Sequence, residues 1–329
     1  MLTTPRPIIA AVGAGRMGRG IAHAFAYAGH EVRLLDAKLR DAAGFDALQR
    51  EALAEIRDTL STLAGLGQFD AGHVDQIMSR ISIYSSDEAR DAIHGAAFVF
   101  EGAPETEHAK RDALALIDTH ADANAIVAST TSTFLSTLLA GFTSKPERFL
   151  NAHWLNPAYL VPLVEVSPHA GTRADATKAT VALLESIGKV PVVCKASPGY
   201  IVPRIQALAM NEAARMVEEG VASAEDLDKA ILYGFGFRFA VLGLIEFIDW
   251  GGGDILYYAS RYMTQATGEQ RFAAPPVIEK NMADGRIGMK TGQGFYDWSS
   301  KDIDAYRRQR LGEFLGLLRH MGQVRPPVV

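Results

Sequence analysis

Nine histidines are spread over the 329 residues of the chain, and His153 is the one placed where an imidazole can move a proton. It lies in the apolar run Phe149-Leu150-Asn151-Ala152-His153-Trp154-Leu155-Asn156-Pro157, and the next apolar run, Leu160–Val166, carries Glu165 near its end. A carboxylate in so apolar a segment is costly unless paired. A histidine on the neighbouring strand supplies that partner. The carboxylate would set the tautomer of the imidazole and leave the other ring nitrogen to take a proton from a hydroxyl. Spacing alone also allows a purely structural His–Glu pair. With no His-x-x-x-His or Cys-x-x-Cys pairing in the chain, no metal is expected.

A second group of residues suits phosphate. Ile8-Ile9-Ala10-Ala11-Val12-Gly13-Ala14-Gly15-Arg16-Met17-Gly18 reads as a strand, a Gly-x-Gly-x-x-Gly turn and the start of a helix. Gly13 permits the tight turn, Gly15 lets a pyrophosphate approach the backbone, and Gly18 lets helix and strand pack closely. The unpaired N–H groups at the helix start, Arg16 and Met17 among them, complement the phosphate charge. Asp36 closes the second strand, where its carboxylate can accept both adenosine ribose hydroxyls and repel a 2′-phosphate. NAD is therefore expected over NADP, although Lys38 and Arg40 stand close enough to soften the preference.

These residues need a scaffold, and residues 1–195 have the pattern of one. Short apolar runs alternate with amphipathic stretches, as in a parallel sheet covered by helices. The strands expected are Ile8–Val12, Val32–Asp36, Ile81–Tyr84, Ala97–Glu101, Ala125–Ser129, Phe149–His153, Leu160–Val166 and Val190–Cys194. Arg16–Ala28, Lys110–Thr119 and Ala174–Ile187 read as helices, and residues 41–80 as an inserted helical hairpin. After a Ser197-Pro198-Gly199 turn, residues 196–329 read as all-helical: Ile205–Glu219, Ala224–Tyr233, and Ala240–Gln265 broken at its glycines. A tail helix from Ile303 carries Leu311, Phe314, Leu315 and Leu318 at i, i+3, i+4 and i+7. That stripe can pack on its own domain or against another subunit. The fold class expected is α/β, a Rossmann-type doubly wound sheet followed by an all-helical domain.

Composition narrows the class. A net charge of −5 with 48% apolar and 22% charged residues argues against a nucleic-acid binder. Cys194 is the single cysteine, which suits a reducing compartment. No apolar stretch approaches the ~20 residues of a membrane span, and Met-Leu-Thr-Thr-Pro lacks the basic and apolar regions of a signal peptide. The expectation is a cytoplasmic protein.

Together these motifs resemble the L-3-hydroxyacyl-CoA dehydrogenase family. The resemblance rests on Gly13-x-Gly15-x-x-Gly18, Glu101-Gly-Ala-Pro-Glu105, Thr131-Ser132, His153-x-x-Asn156-Pro157, Glu165, Ser197-Pro198-Gly199-Tyr200-Ile201-Val202 and Lys290-Thr-Gly-Gln-Gly-Phe-Tyr296. It implies hydride transfer to NAD, with His153 as base, Glu165 as its orienting partner, and Ser132 holding the substrate oxygen or the nicotinamide side. Glu105, Lys110 and Asn156 match positions that contact the nicotinamide ribose and amide, and Lys290 a further cofactor contact. The bland readings are a helix-face ion pair for Glu105 and Lys110, and a turn residue for Asn156. The resemblance also implies a homodimer through the helical domain and a short-chain substrate such as 3-hydroxybutyryl-CoA.

The chain departs from the family pattern in two respects. Where the family has an asparagine beside the catalytic histidine, Pro203 stands here; Gln206, a turn on, is a candidate replacement. Between Asp41 and Arg80 there are three arginines, no lysine and seven acidic residues, few cations for the phosphates of coenzyme A. Gly236-Phe237-Arg238-Phe239-Ala240 replaces a Met-Gly-Pro turn, and with Val217–Ser223 it looks more like relatives acting on free hydroxy acids such as L-gulonate or carnitine. There Arg238 would meet a carboxylate or remain a surface arginine. A 3-hydroxyisobutyrate-type enzyme lacks support, since its Ser-Gly-Gly segment and mid-chain lysine are missing. A non-catalytic, crystallin-like NAD-binding protein is the remaining alternative.

Overall fold

A computed structural model describes residues 6–328; the N-terminal residues behind the signal-peptide reading lie outside them. Eight strands form one sheet in the order β3-β2-β1-β4-β5-β6-β7-β8. They are β1 (Ile9–Val12), β2 (Val32–Leu35), β3 (Ile81–Tyr84), β4 (Phe98–Glu101), β5 (Ile126–Ser129), β6 (Phe149–Trp154), β7 (Leu163–Pro168) and β8 (Val190–Val193). The central strands are near-continuous apolar runs because both sheet faces are covered. Along β1, Ile9 and Ala11 enter one core with Phe25, Leu34 and Phe100, while Ala10 and Val12 enter the other with Val99 and Leu114. Alternation along a strand sends neighbours to opposite faces.

The sheet is mostly parallel, as expected of a doubly wound fold, with one antiparallel pair. β6 and β7 run antiparallel, and every other pairing is parallel. The link from Trp154 to Leu163 is shorter than the dozen or so residues that a parallel crossover needs. Within that link Leu160 and Val161 both donate their N–H groups to Pro157 O at 2.9 Å. Leu160 thus belongs to a turn, and β7 begins three residues later than its apolar run.

The hairpin region holds one long helix, Ala42–Gly65, capped by Asp41, and a short one, Val74–Met78. Contacts divide the chain into two compact units, Met1–Ala209 and Met210–Val329, inside the helix Val202–Glu218. In the second unit Ala224–Ala230 passes into a π-helical turn, Ile231–Gly236, before Leu244–Gly251 and Gly253–Thr267. Asp249 is buried there and accepts the N–H groups of Phe295 (3.0 Å) and Tyr296 (2.9 Å) and Nε1 of Trp298 (2.8 Å). This anchors the Lys290–Tyr296 motif. The tail helix Ile303–His320 packs on its own unit, with Phe314 against Phe237 and Arg310 on Glu246.

Candidate active site

β1 ends at Val12 and the chain turns through Gly13 into the helix Arg16–Tyr27. Gly13 has φ of +112°, and a Cβ there would lie 2.7 Å from Gly102 O. At Gly18 a Cβ would lie 2.0 Å from Gly13 O, so only glycine lets helix and strand meet this closely. Gly15 is the N-cap and has no side chain with which to cap the helix. Gly13, Ala14 and Gly15 border a cavity of about 670 Å³, also lined by Asp36, Lys38, Arg40 and Pro104. The cradle fits a dinucleotide: open backbone N–H groups for pyrophosphate, and a buried carboxylate at the end of the second strand for ribose hydroxyls. Arg40 Nε donates to Asp36 Oδ2, so one of the two cations foreseen as softening the NAD preference is held by that carboxylate, while Lys38 also lines the cavity.

A second layer lies beneath the cavity. Glu101, at the end of β4, is fully buried, and burial raises its pKa against the opposing pull of Lys110 and Ser129. Lys110 is 1% exposed; its Nζ lies 3.1 Å from Glu101 Oε1, 3.1 Å from Ala103 O and 3.4 Å from Glu105 Oε2. Its ammonium is thus turned inward, supporting the loop rather than lining its surface. Glu105 gathers the next loop through the Thr131 hydroxyl and the N–H groups of Ser132 (2.9 Å) and Thr133 (2.8 Å). Burial pushes Glu105 upward, but the Thr131 and Thr133 bonds and Lys110 outweigh it, so the carboxyl lies below its usual range. Ser132 is left exposed.

His153 and Glu165 are direct cross-strand partners in the antiparallel β6–β7 ladder. Their side chains meet at 2.8 Å, His153 Nδ1 to Glu165 Oε2, with His153 4% exposed and Glu165 fully buried. Nδ1 therefore carries the proton that Glu165 accepts, and Nε2 makes no hydrogen bond among the described residues. Glu165 has a second task that the sequence did not reveal. Its Oε1 accepts the N–H groups of Ile201 (2.9 Å) and Val202 (2.8 Å), capping the next helix. Pro203 fits the first turn of that helix, where a missing N–H costs nothing, and Gln206 is exposed.

Asn156 is exposed and borders a second cavity of about 330 Å³ with Arg16, Arg19, His23, Thr59 and Tyr159. Arg19 is held by Glu51 and Glu55. In the second unit Lys290 Nζ pairs with Asp254 Oδ2 at 2.6 Å, and Arg238 Nε donates to Gly234 O at 3.1 Å. Tyr200, which sequence reading treated only as part of a motif, stacks on the His153 ring with centroids 4.9 Å apart and planes 4° from parallel.

This constellation of glycine turn, buried acidic loop and cross-strand His–Glu pair has counterparts. The 3-hydroxyacyl-CoA dehydrogenase NAD-binding domain matches residues 8–197, and the C-terminal domain of the same family matches residues 199–298. The chain belongs to the 3-hydroxyacyl-CoA dehydrogenase family. It is accordingly an NAD-dependent oxidoreductase. A 3-hydroxybutyryl-CoA dehydrogenase from Clostridioides difficile is 30% identical over 88% of this chain and 99% of that protein. The 5-formyl-3-hydroxy-2-methylpyridine 4-carboxylate 5-dehydrogenase of Mesorhizobium japonicum is 32% identical over 94% of this chain and 97% of its own. Among solved structures, a 3-hydroxyacyl-CoA dehydrogenase from Archaeoglobus fulgidus superposes with a TM-score of 0.75 at 29% identity, covering 97% of this chain and all of that one.

Proposed function

We propose that this dehydrogenase oxidises the hydroxyl of a short-chain L-3-hydroxyacyl-CoA, such as the 3-hydroxybutyryl thioester, to the ketone, with His153 as general base. The observation that carries the reading is the 2.8 Å contact of His153 Nδ1 with Glu165 Oε2, which leaves Nε2 bare. A base positioned this way contributes roughly 10²–10⁴-fold. Nε2 takes the hydroxyl proton, Glu165 holds the resulting imidazolium, and Ser132 holds the substrate oxygen. Bound NAD supplies the acceptor for the hydride. Gly13, Gly15, Gly18 and the helix start at Arg16 and Met17 would hold its pyrophosphate, and Asp36 its adenosine ribose. Glu105 and Asn156 would serve the nicotinamide side, with Lys110 acting through Glu101 and Glu105 because it is buried, and Lys290 is read as a further cofactor contact. The functional unit is a homodimer.

A second reading keeps this chemistry and replaces the thioester with a free hydroxy acid. It is favoured by the pairing of cations around the second cavity. Arg19 is held by two glutamates, which leaves Arg16 as the one arginine of that lining outside an ion pair among the described residues. One unpaired cation suits one carboxylate better than several phosphates. The Mesorhizobium relative is named for a carboxylate substrate.

NADH formation with 3-hydroxybutyryl-CoA, free 3-hydroxybutyrate, L-carnitine and L-gulonate at matched concentrations decides between them. The thioester is expected to turn over fastest; a free acid that equals it removes coenzyme A from the assignment. His153→Ala is expected to lose at least 10²-fold in kcat while still binding NADH. Near-normal turnover by that variant would sink the base assignment.

A further inference from the structure

We propose that Tyr200 is a positioning residue that ties the imidazole of His153 to the Ser132 loop, so that base and oxygen-holding group move as one piece; the proposal rests on the reading of His153 as base. Two sets of contacts meet at this side chain. Its ring lies parallel on the His153 ring at 4.9 Å. Its hydroxyl donates to Thr131 O at 2.9 Å and accepts Nδ2 of Asn151 at 2.9 Å. The same Asn151 nitrogen donates to Phe134 O at 2.9 Å. Tyr200 and Asn151 together therefore grip both ends of the segment Thr131–Phe134, which carries Ser132 between them.

The other end of the arrangement is closed by Glu165. One of its oxygens holds His153 Nδ1, and the other holds the N–H groups of Ile201 and Val202, the residues directly after Tyr200. A ring of contacts thus runs from His153 to Glu165, through the backbone to Tyr200, and back to His153 by stacking. Tyr200 adopts φ of +46°, the only positive value at a non-glycine residue among those described. A left-handed backbone at a bulky residue costs free energy and persists where its surroundings over-determine it, commonly at functional sites. Asn151 lies two residues before His153 on β6, so both side chains leave the same face of the strand.

Tyr200 is buried, and burial pushes its phenol above the ordinary range. The hydroxyl accordingly keeps its proton and serves as a fixed donor to Thr131 O. Displacing reacting groups by about 1 Å can cost 10²-fold in rate, and the Tyr200 hydroxyl controls that kind of displacement between His153 and Ser132.

The test compares Tyr200→Phe, which keeps the ring and removes the hydroxyl, with Asn151→Ala, the double variant and His153→Ala. The assay follows NADH formation from 3-hydroxybutyryl-CoA, or from L-carnitine if the free acids are the better substrates. Turnover is expressed per NADH-binding site so that unfolded molecules do not count. Tyr200→Phe is expected to lose roughly tenfold to a hundredfold in kcat, with KM for NAD unchanged. The double variant is expected to be no worse than the more damaged single one, because both remove one clamp.

Wild-type kcat in Tyr200→Phe, or additive losses in the double variant, would overturn the proposal. If His153→Ala keeps its turnover, the base reading fails first; if His153→Ala is inactive and Tyr200→Phe normal, only the clamp fails. A measurement without substrate covers the remaining case, in which neither probe reacts. The His153 Hε1 resonance in histidine-labelled protein is expected to be single and narrow in the wild type and exchange-broadened in Tyr200→Phe, and identical spectra would refute the clamp.

Discussion

Asp36 and Arg40 show how a single contact redirects a prediction. The sequence presents them as a ribose-binding acid and a cation close enough to weaken its selectivity. In the structure Arg40 lines the cavity but is paired with Asp36, so its charge is engaged by the carboxylate it stands beside. Replacing Asp36 by alanine therefore does two things: it removes the ribose acceptor and releases Arg40 toward a 2′-phosphate. We expect NAD to bind about tenfold more weakly, the loss of one charge-assisted hydrogen bond, and NADP to gain relative to it. Titration of the variant with both dinucleotides checks this, and an unchanged NAD-to-NADP preference would show that Arg40 does not reach that ribose.

At the scale of elements, the antiparallel turn of β7 against β6 is what brings His153 and Glu165 together. Had the two strands run parallel, a crossover would have separated them and His153 would have needed another partner. The helices bring a different constraint, seen at His23 on Arg16–Tyr27. This imidazole is 2% exposed, stacks on Tyr159, and lies 3.0 Å through Nδ1 from Thr59 Oγ1. Because the Thr59 hydroxyl donates to Ile56 O, Nδ1 is the donor toward Thr59. Burial, with the nearby Lys189 cation, lowers the His23 pKa from 6.5 to about 4.

A depressed histidine pKa means that the unfolded chain binds the proton more tightly. Its contribution is present in full above pH 6.5 and is lost as pH falls from there to about 4. The amount is at most about 3 kcal/mol. Urea unfolding of the wild type and His23→Gln at pH 7 and pH 4.5 is expected to show a smaller acid loss in the variant. Equal losses would mean that His23 is protonated without cost in the fold.

For the whole molecule, the second unit leaves several large apolar side chains exposed. Ile255, Tyr258 and Tyr262 follow one side of the helix Gly253–Thr267 at 63%, 60% and 73% exposure, and Leu232 and Tyr233 of the π-helical turn are 61% and 56% exposed. Exposed apolar surface on this scale marks an interaction site. We propose these exposed side chains as the contact of the homodimer proposed above, so Tyr258→Asp with Leu232→Arg is expected to yield monomers in sedimentation velocity. A dimer that persists in the double variant would place the contact elsewhere.

Much of this protein was legible along the chain. All eight strands lie near the positions expected from the sequence because strands here are short apolar runs bounded by turns, even at the exposed edge strand β8. The Gly13–Gly18 turn and Asp36 were legible because phosphate and ribose recognition demand fixed residue types at fixed spacing. The pairing of His153 with Glu165 could be suspected from apolar context, since a buried carboxylate requires a partner. Other features depended on distance in space rather than along the chain. The inward turn of Lys110, the capture of Arg40 by Asp36, the capping of Val202–Glu218 by Glu165 and the stacking of Tyr200 on His153 all follow from the packing of side chains. No periodicity encodes them, because each depends on the direction a side chain takes once the sheet and its loops are in place.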